Sequence, residues 1–278
     1  MRYDGKTHSW LPYLSGISAA DLDFSRDGEW VTYVLVPDGT LWRSRVDGSE
    51  RLQLTIPPMR TSLPRWSPEG KRIVFVGLRP GGAWTIYSVA AGGGEANQLV
   101  PENTIYSDPN WSADGKQVVF GESAVTPKAI HILDVQTRHV SEVPGSKGLF
   151  SPRWSPDGRF IVALSGVTDP PPGPQKLMIF EVSAQKWQEW SAESQSGFNY
   201  PSFSRDGKYV YFSDVGAAAF YRLRMGDNKS ELVAKIDAPG GMKLDEFWYW
   251  SGLTPDDSPL FLRDTSAREI YALDVDFP

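Results

Sequence analysis

The sequence predicts an all-β fold, a six-bladed β-propeller built from four-stranded blades. Three observations predict it: a recurring turn of the form Ser-x-Asp/Glu-Gly, apolar runs after the turns, and a spacing of about 46 residues between copies. The turns occupy residues 25–28, 67–70, 112–115, 155–158 and 204–207, and a degraded sixth copy occupies 254–257. Repeats of this length with four strands each are typical of propellers, in which neighbouring blades cover one another's faces. We therefore expect residues 1–278 to form a single domain.

Each repeat is predicted to begin with a strand that ends in an aromatic residue, as at Trp66, Trp111 and Trp154. The turn that follows has the residues of a type I turn completed by glycine at positive φ, which joins two strands in a hairpin. The second strand is a near-continuous apolar run such as 73–76, typical of a strand covered on both faces. A third and a fourth strand follow. An aromatic residue that recurs once per blade indicates packing between blades rather than a carbohydrate-binding surface.

The two ends of the chain are predicted to share the last blade. The sixth repeat has a candidate third strand at Glu269–Val275, but the sequence ends at Pro278 before a fourth strand. The segment 9–14 stands before the first repeat and resembles a fourth strand without partners. We expect this N-terminal strand to complete the last blade and close the ring.

Composition and charge exclude several classes of function. Lys and Arg number 28 against 34 Asp and Glu, so the formal charge of −6 argues against nucleic-acid binding. The absence of cysteine excludes disulfides, thiolate zinc sites and cysteine nucleophiles. No stretch approaches the ~18 consecutive apolar residues of a membrane span, so no membrane insertion of this segment is expected.

The sequence carries no recognisable catalytic motif. It contains neither the G-x-S-x-G elbow of serine hydrolases nor a glycine-rich phosphate-binding loop. Its three histidines, at positions 8, 131 and 139, are too scattered to predict a metal site, so we expect no cofactor and no metal. Carboxylates at Asp108, Asp245 and Glu246 leave open the alternative of a hydrolase or lyase that acts on carbohydrate or peptide.

The two rims of the predicted propeller differ. The repeat turns and other short turns lie on one rim, here the repeat-turn rim. The opposite one, the crossover rim, carries the longer connections between blades, at residues 57–63, 101–108, 144–151, 191–200 and 237–251. Irregular loops on a rigid scaffold usually carry the binding residues, so we expect the site at the channel mouth on the crossover rim.

Within those crossovers, aromatic, arginine and charged side chains are the expected anchors of a ligand or partner. The sharpest feature is the run of four aromatic residues from Phe247 to Trp250, which cannot all face one core if the segment is extended. The candidate binding residues are Arg60, Tyr106, Asp108, Lys147, Phe150, Tyr200, Asp245, Phe247, Trp248, Tyr249 and Trp250.

The repeats also carry a family resemblance. The pattern P-x-W-S-P-D-G-K-x-I-x-F, clearest at Pro152–Ile161 and Pro64–Phe75, resembles the TolB-like propeller repeat over nearly the whole chain. The segments 41–44, 149–154 and 269–273 resemble propellers at the C-terminal end of bacterial winged-helix regulators or protein kinases. The repeat is shared with propellers of prolyl-oligopeptidase-like enzymes and oligogalacturonate lyases. The extra N-terminal domain of TolB proper has no counterpart in the sequence.

We therefore predict a non-enzymatic ligand- or protein-binding module, in a sensing or interaction role. Its partner is expected to be a protein, a peptide or a small ligand, and the chain is expected to be a monomer. Two alternatives stay open: the hydrolase or lyase, and a TolB-like scaffold of the cell envelope.

If the domain is excised from a membrane-anchored regulator, the resemblance implies a periplasmic location. If Met1 is the native start, the location is cytoplasmic.

Overall fold

The computed structural model describes residues 1–14, 17–101, 104–123, 128–165, 174–194, 197–214, 216–227, 229–236 and 250–263. In these ranges 24 strands form six antiparallel sheets of four strands each, which confirms the predicted six-bladed β-propeller. Within the same ranges, no helix is long and apolar enough to cross a membrane.

The first five blades follow the chain, and each begins with its innermost strand. The strands of the first three blades are β3 (Ala19–Phe24), β4 (Trp30–Leu35), β5 (Thr40–Arg45) and β6 (Leu52–Gln53); β7 (Arg60–Trp66), β8 (Arg72–Leu78), β9 (Thr85–Ala90) and β10 (Asn97–Gln98); and β11 (Tyr106–Trp111), β12 (Gln117–Glu122), β13 (Ile130–Asp134) and β14 (Val140–Glu142). Those of the next two are β15 (Leu149–Trp154), β16 (Phe160–Ser165), β17 (Gln175–Glu181) and β18 (Lys186–Ser194); and β19 (Phe198–Phe203), β20 (Tyr209–Asp214), β21 (Ala219–Arg224) and β22 (Ser230–Lys235).

The sixth blade combines the two ends of the described chain. Its strands, from the channel outward, are β23 (Ser251–Leu253), β24 (Pro259–Phe261), β1 (Arg2–Asp4) and β2 (Ser9–Leu11). The N-terminal amine donates a hydrogen bond to the carbonyl of Phe261 at 2.9 Å, and the Phe261 N–H donates to the carbonyl of Met1 at 3.1 Å. The ring is therefore closed by pairing of the N-terminus with the last blade, as predicted.

The closure uses a hairpin rather than a single strand. The predicted closing segment 9–14 supplies β2 as the fourth strand. The third place, which the sequence analysis assigned to a strand at 269–275, is taken by β1, whose Arg2 pairs with Leu260; residues 269–275 lie outside the described residues. The physical reason is that β1 and β2 are already a hairpin, so one docking event fills both outer positions of the blade.

The core lies between the blades. The second strands β4, β8, β12, β16 and β20 are buried along their central residues, which confirms that both of their faces are covered. In one cluster Val74 and Val76 of the second blade pack with Trp111 and Val118 of the third. The aromatic residue before each repeat turn is part of this packing: Trp66, Trp111 and Trp154 are only 8, 5 and 7 % exposed, as predicted.

The repeat turns have the predicted geometry. In the first copy the N–H of Gly28 donates to the carbonyl of Ser25 at 2.9 Å, and the Ser25 hydroxyl donates to the Asp27 carboxylate at 2.5 Å. Gly28 has φ of +77°, a conformation that a side chain disfavours. In the degraded sixth copy Asp257 occupies the glycine position at φ +60°, so Asp256 and Asp257 belong to the turn, as expected.

The innermost strands contain a repeated irregularity that the sequence analysis did not predict. In each of the first five blades the pairing of the first strand with the second shifts register. A non-glycine residue has positive φ at the shift, namely Asp21, Leu63, Asp108, Ser151 and Tyr200, at 51°, 51°, 55°, 54° and 40°. These are β-bulges, which re-aim the following side chains toward the channel and the neighbouring blade.

Candidate functional site

A cavity of about 450 Å³ opens at the repeat-turn end of the channel. We call it the repeat-turn cavity. It is formed where the innermost strands of all six blades end, and every repeat turn contributes to its wall. Its volume is within the range of small-molecule pockets. The residues that the argument below uses are Asp23, Arg65, Trp66, Asn110, Trp111, Arg153, Trp154, Ser202, Trp250 and Asp257.

One wall of the cavity is aromatic. Trp66, Trp111 and Trp154 line it from equivalent positions in three successive blades. Two of the indoles are fixed by hydrogen bonds: Nε1 of Trp111 donates to the carbonyl of Arg65 and Nε1 of Trp154 to that of Gly158, both at 3.1 Å. Since these rings are held between blades, they offer the cavity a rigid apolar surface.

A ring of polar residues lies one position before the aromatic residues. In the first blade Asp23 accepts a hydrogen bond from the backbone N–H of Trp66 in the second blade at 2.7 Å. Two blades further on, Asn110 accepts from the N–H of Trp154 at 2.8 Å. The same kind of contact therefore joins the first blade to the second and the third blade to the fourth.

Two arginines occupy this ring, in the second and fourth blades. Arg65 and Arg153 each donate from Nη1 to the carbonyl of the preceding proline, at 2.9 and 2.8 Å. Arg153 also donates from Nη2 to the carboxylate of Asp108 at 2.7 Å, in a buried ion pair. Among the described residues, no carboxylate lies within 4.0 Å of the Arg65 guanidinium. The two arginines are therefore equivalent in position but not in partners.

The difference arises in the preceding blade. Asp21 stands in the first blade where Asp108 stands in the third, and both are at the bulge of their strand. The Asp21 carboxylate accepts hydrogen bonds from the Ser62 hydroxyl at 2.5 Å and from the Leu63 N–H at 3.0 Å. Both bonds go to Oδ2, and the buried Oδ1 has no hydrogen-bond partner among the described residues. Asp21 is therefore bound to the strand of the second blade through one oxygen and does not form the ion pair that Asp108 forms.

Burial shifts the pKa values of the charged groups around the cavity. It raises the pKa of Asp23, an effect that the nearby charge of Arg65 partly opposes. The pKa of Arg65 is lowered by burial first and by the charge of Arg153 second. Burial also raises the pKa of Asp257, which accepts a hydrogen bond from the N–H of Arg205 at 3.0 Å. Both acids in the cavity wall are thus biased toward their neutral form.

The structure distributes the predicted binding residues over several environments. Asp108 and Tyr200 meet at Arg153, whose guanidinium carbon lies 6.0 Å from the Tyr200 ring centroid. Trp250 is 1 % exposed and, alone among those predicted residues that the structure describes, lines the repeat-turn cavity. Tyr106 is buried edge-on against Phe120.

The remaining predicted residues lie on the crossover side or outside the described ranges. Arg60 is exposed near the Trp84 ring, Lys147 is exposed, and half-buried Phe150 lies 4.6 Å from Nζ of Lys128. Asp245, Glu246, Phe247, Trp248 and Tyr249 lie outside the described residues. The predicted binding residues that the structure describes do not converge on one surface. The site on the crossover rim stays a prediction.

A buried serine and two of the three histidines have structural surroundings. The Ser146 hydroxyl is fully buried and accepts a hydrogen bond from the N–H of Ile130 at 3.1 Å. His131 lies 3.2 Å from the Glu122 carboxylate, and His8 bonds to the Tyr3 hydroxyl. In the part of the chain that the structure describes, no three His, Asp or Glu side chains form a group that could hold a metal ion.

Sequence reasoning missed the residues that make the cavity distinctive, Asp23, Arg65, Asn110 and Arg153. A signal was present, because each stands directly before the recurring aromatic residue of an innermost strand. A charged side chain at that position of a propeller strand has only the channel or the next blade to face. The bulge one or two residues earlier, which decides between those two directions, leaves no comparably clear mark in the sequence.

No protein-family model matches the sequence, and neither does any curated protein. Solved structures do match. A protein of Agrobacterium tumefaciens that carries the name TolB is 20% identical with a TM-score of 0.71, and the match covers 92% of this chain and 94% of that one. TolB from Acinetobacter baumannii is 17% identical with a TM-score of 0.63, over 77% of this chain and 53% of that one. The chain thus spans about half the length of the Acinetobacter protein.

An enzyme is also similar. An oligogalacturonate lyase in complex with manganese is 15% identical with a TM-score of 0.55, over 87% of this chain and 84% of that one. At these identities the similarity shows a TolB-like propeller fold, which the sequence predicted, and leaves the activity to be argued from the site. The resemblance to propellers of winged-helix regulators or protein kinases stays a prediction.

Proposed function

We propose that the protein is a non-enzymatic binding module whose ligand or partner enters the repeat-turn cavity. The observation that carries the proposal is the cavity itself: about 450 Å³, with a rigid aromatic wall and a ring of buried polar groups contributed by successive blades. A mostly preformed pocket with a few oriented polar groups is the usual form of a small-molecule or side-chain site.

This proposal moves the site from the crossover rim to the repeat-turn rim. Of the predicted residues, Asp108 and Tyr200 support the cavity indirectly by fixing Arg153, and Trp250 contributes to its wall. The crossover rim remains a second possible surface for a protein or peptide partner, carried by Arg60, Lys147 and Phe150. The experiment below is designed to separate the two rims.

The alternative of a hydrolase or lyase has less support from the described residues. Its candidate Asp108 is 7 % exposed and is paired with Arg153 at 2.7 Å, so its carboxylate is not placed to serve a substrate as a general acid or base. The other two candidates, Asp245 and Glu246, lie outside the described ranges. The alternative therefore rests on the fold that the chain shares with the lyase.

A fragment-binding experiment tests the proposal. Fluorinated fragments of diverse chemistry would be screened by ¹⁹F NMR against the wild type and against Ser202→Trp, which places a large ring in the channel. Positions equivalent to Ser202 carry Arg65 and Arg153, so a long side chain is compatible with the backbone there. Ser183→Trp, on an exposed turn of the fourth blade, is the matched control. We expect fragments that bind the wild type and the control but not Ser202→Trp.

The opposite result would be fragments that bind all three proteins equally, which would place binding elsewhere, with the crossover rim as the first candidate.

The cellular location of the protein has a separate test. Fractionation of the source cells with an antibody to this domain distinguishes a free species of about 31 kDa from a larger membrane-bound one. The larger species would support a sensing domain of a membrane-anchored regulator, and the free one a binding protein that acts alone.

A further inference from the structure

We infer that the ligand of the repeat-turn cavity presents a carboxylate group to Arg65. The inference rests on the proposed binding function and names the chemistry of the part of the ligand that contacts Arg65. It comes from the comparison of Arg65 with Arg153, two arginines in the same position of two blades, of which one has its anion and the other does not.

Arg153 has its carboxylate partner. Its guanidinium donates to Asp108 at 2.7 Å and to the carbonyl of Pro152 at 2.8 Å, while its buried Nε has no hydrogen-bond partner among the described residues. The protein itself therefore shows what an arginine at this position binds when an anion is within reach, namely a carboxylate.

Arg65 is the same arrangement with the carboxylate missing. It makes the equivalent bond to the carbonyl of Pro64 at 2.9 Å, but its other N–H groups have no hydrogen-bond partner among the described residues. The side chain is 8 % exposed and lines the cavity, and none of its unpartnered atoms is sealed from solvent. A buried guanidinium with open donors is costly unless an anion or water satisfies it. The open donors therefore mark the place where an anionic group of a ligand is stabilised.

The charges around the cavity favour an anion over a cation. With Arg153 paired to Asp108, the charged side chains in its wall are Arg26, Arg65 and Arg205, against the acids Asp23 and Asp257. Of these two acids, Asp23 is the one whose charge acts on Arg65, and burial raises the pKa of Asp23. The repeat-turn cavity is thus locally cationic in a chain whose formal charge is −6.

A carboxylate fits better than a phosphate. The guanidinium offers a planar pair of donors, which matches a carboxylate in bidentate geometry. Arg153 is already paired with Asp108, so Arg65 is the one of these two arginines whose donors are open, and a single guanidinium suits a monoanion better than a dianion. The indoles of Trp66 and Trp111 lie beside it, so an aromatic or aliphatic stem on the carboxylate would be covered by the rigid wall.

Isothermal titration calorimetry with three matched probes tests the inference. Benzoate, benzamide and phenyl phosphate share the ring and differ in the charge and shape of the polar group. They would be titrated into the wild type, Arg65→Gln, Arg65→Lys and Arg159→Gln. Arg159 is an exposed arginine beside Phe160 that does not line the cavity, so it controls for the loss of one positive charge. Thermal unfolding of each variant would establish that it is folded.

We expect benzoate to bind the wild type and Arg159→Gln with equal affinity in the millimolar range or better. Binding should weaken at least about tenfold in Arg65→Gln, because a hydrogen bond between charged groups is lost. Arg65→Lys should retain part of the affinity, since it keeps the charge without the planar donors. Benzamide and phenyl phosphate should bind the wild type more weakly than benzoate does.

The inference would be overturned if benzoate failed to bind the wild type, if it bound Arg65→Gln as well as the wild type, or if benzamide or phenyl phosphate bound as tightly. None of these results alone would overturn the proposed function. That proposal fails only if fragment binding is insensitive to Ser202→Trp, which does not depend on charge.

Discussion

Arg153 in the fourth blade lies 2.7 Å from the carboxylate of Asp108 in the third, and both side chains are almost fully buried. The pair joins two blades beneath the wall of the channel. A buried ion pair is a weak source of net stability when both partners are present, but removal of one partner leaves an uncompensated buried charge. The pair therefore specifies how the two blades meet.

The losses of stability caused by the two single substitutions in this pair should not add in the double variant. We expect Asp108→Asn or Arg153→Met to lower the free energy of unfolding by about 3–5 kcal/mol, and the double variant to lose less than the sum of the two. Urea unfolding of the wild type, the two single variants and the double variant measures the interaction energy between Asp108 and Arg153. Glu231→Gln, which removes the exposed partner of Arg222, is the control and should change stability by less than about 0.5 kcal/mol. Additive losses from the two sites would contradict the account.

Closure of the ring depends on the N-terminal hairpin. The Trp10 ring lies 4.7 Å from Phe261 of the last blade and 5.7 Å from Phe220 of the fifth, and its Nε1 donates to the carbonyl of Lys235 at 2.7 Å. Trp10→Ala should therefore destabilise the protein by about 3 kcal/mol. Leu11→Ala, at a neighbouring position that is 40 % exposed, should have a small effect.

Thermal unfolding of these variants and of a protein that lacks residues 1–11 would measure the contribution of the hairpin. The shortened protein should unfold at a clearly lower temperature than the full chain, because the inner two strands of the sixth blade lose their partners. An unchanged melting temperature would mean that the hairpin does not close the ring.

The indole of Trp111 joins the core between blades to the wall of the cavity. It packs with Val74 and Val118, lies 4.6 Å from the guanidinium carbon of Arg72 and donates to the carbonyl of Arg65. Trp111→Ala should cost about 3–5 kcal/mol of stability. The half-buried Trp42 is the comparison, and Trp42→Ala should cost much less. Equal losses in urea unfolding would show that the recurring aromatic residue is not a special core position.

The aspartates of the repeat turns predict a loss of stability in acid. The N–H and the side chain of Lys208, with the Ser204 hydroxyl, lower the pKa of Asp206 to about 2. The hydroxyls of Ser25 and Ser112 lower the pKa of Asp27 and Asp114 in the same way. A carboxyl whose pKa is lowered by folding contributes stability above its unfolded pKa, and this contribution is lost as the pH falls through the folded pKa.

We therefore expect the stability that these turns contribute to decline between about pH 4 and pH 2. Asp23 and Asp257, whose pKa values are raised, act in the opposite direction and favour the folded state as the pH falls. Urea unfolding over this pH range, compared between the wild type and Asp206→Asn, measures the contribution of one turn. The free energy of unfolding of the variant should depend less on pH than that of the wild type. An identical pH dependence would contradict the assignment of this effect to Asp206.

Local sequence features predicted the parts of the fold that local geometry decides. Gly28 and its equivalents stand where a turn needs positive φ, and the apolar run 73–76 requires cover on both faces. The strand β1 was missed because its three residues have no clear apolar pattern. Its pairing of Arg2 with Leu260 joins opposite ends of the described chain, and no short window of sequence reports such a contact.

The candidate site was harder to predict for a different reason. The sequence shows that Arg65 precedes a recurring tryptophan, but the direction of its side chain depends on the bulge at Leu63. Whether the arginine is paired depends in turn on Asp21, an acid in another blade whose Oδ2 accepts hydrogen bonds from Ser62 and Leu63. Arg65 and Arg153 occupy the same repeat position in the sequence. Only the contacts between blades distinguish the guanidinium of Arg65, which has no carboxylate partner, from that of Arg153, which has one.

A crystal structure of the wild-type protein with benzoate tests the central claim most directly, because it reports both the rim and the group that binds. The account predicts benzoate in the repeat-turn cavity, with its carboxylate within hydrogen-bond distance of the Arg65 guanidinium and its ring against the indoles of Trp66 and Trp111. Benzoate bound instead on the crossover rim, near Lys147 and Phe150, would contradict it.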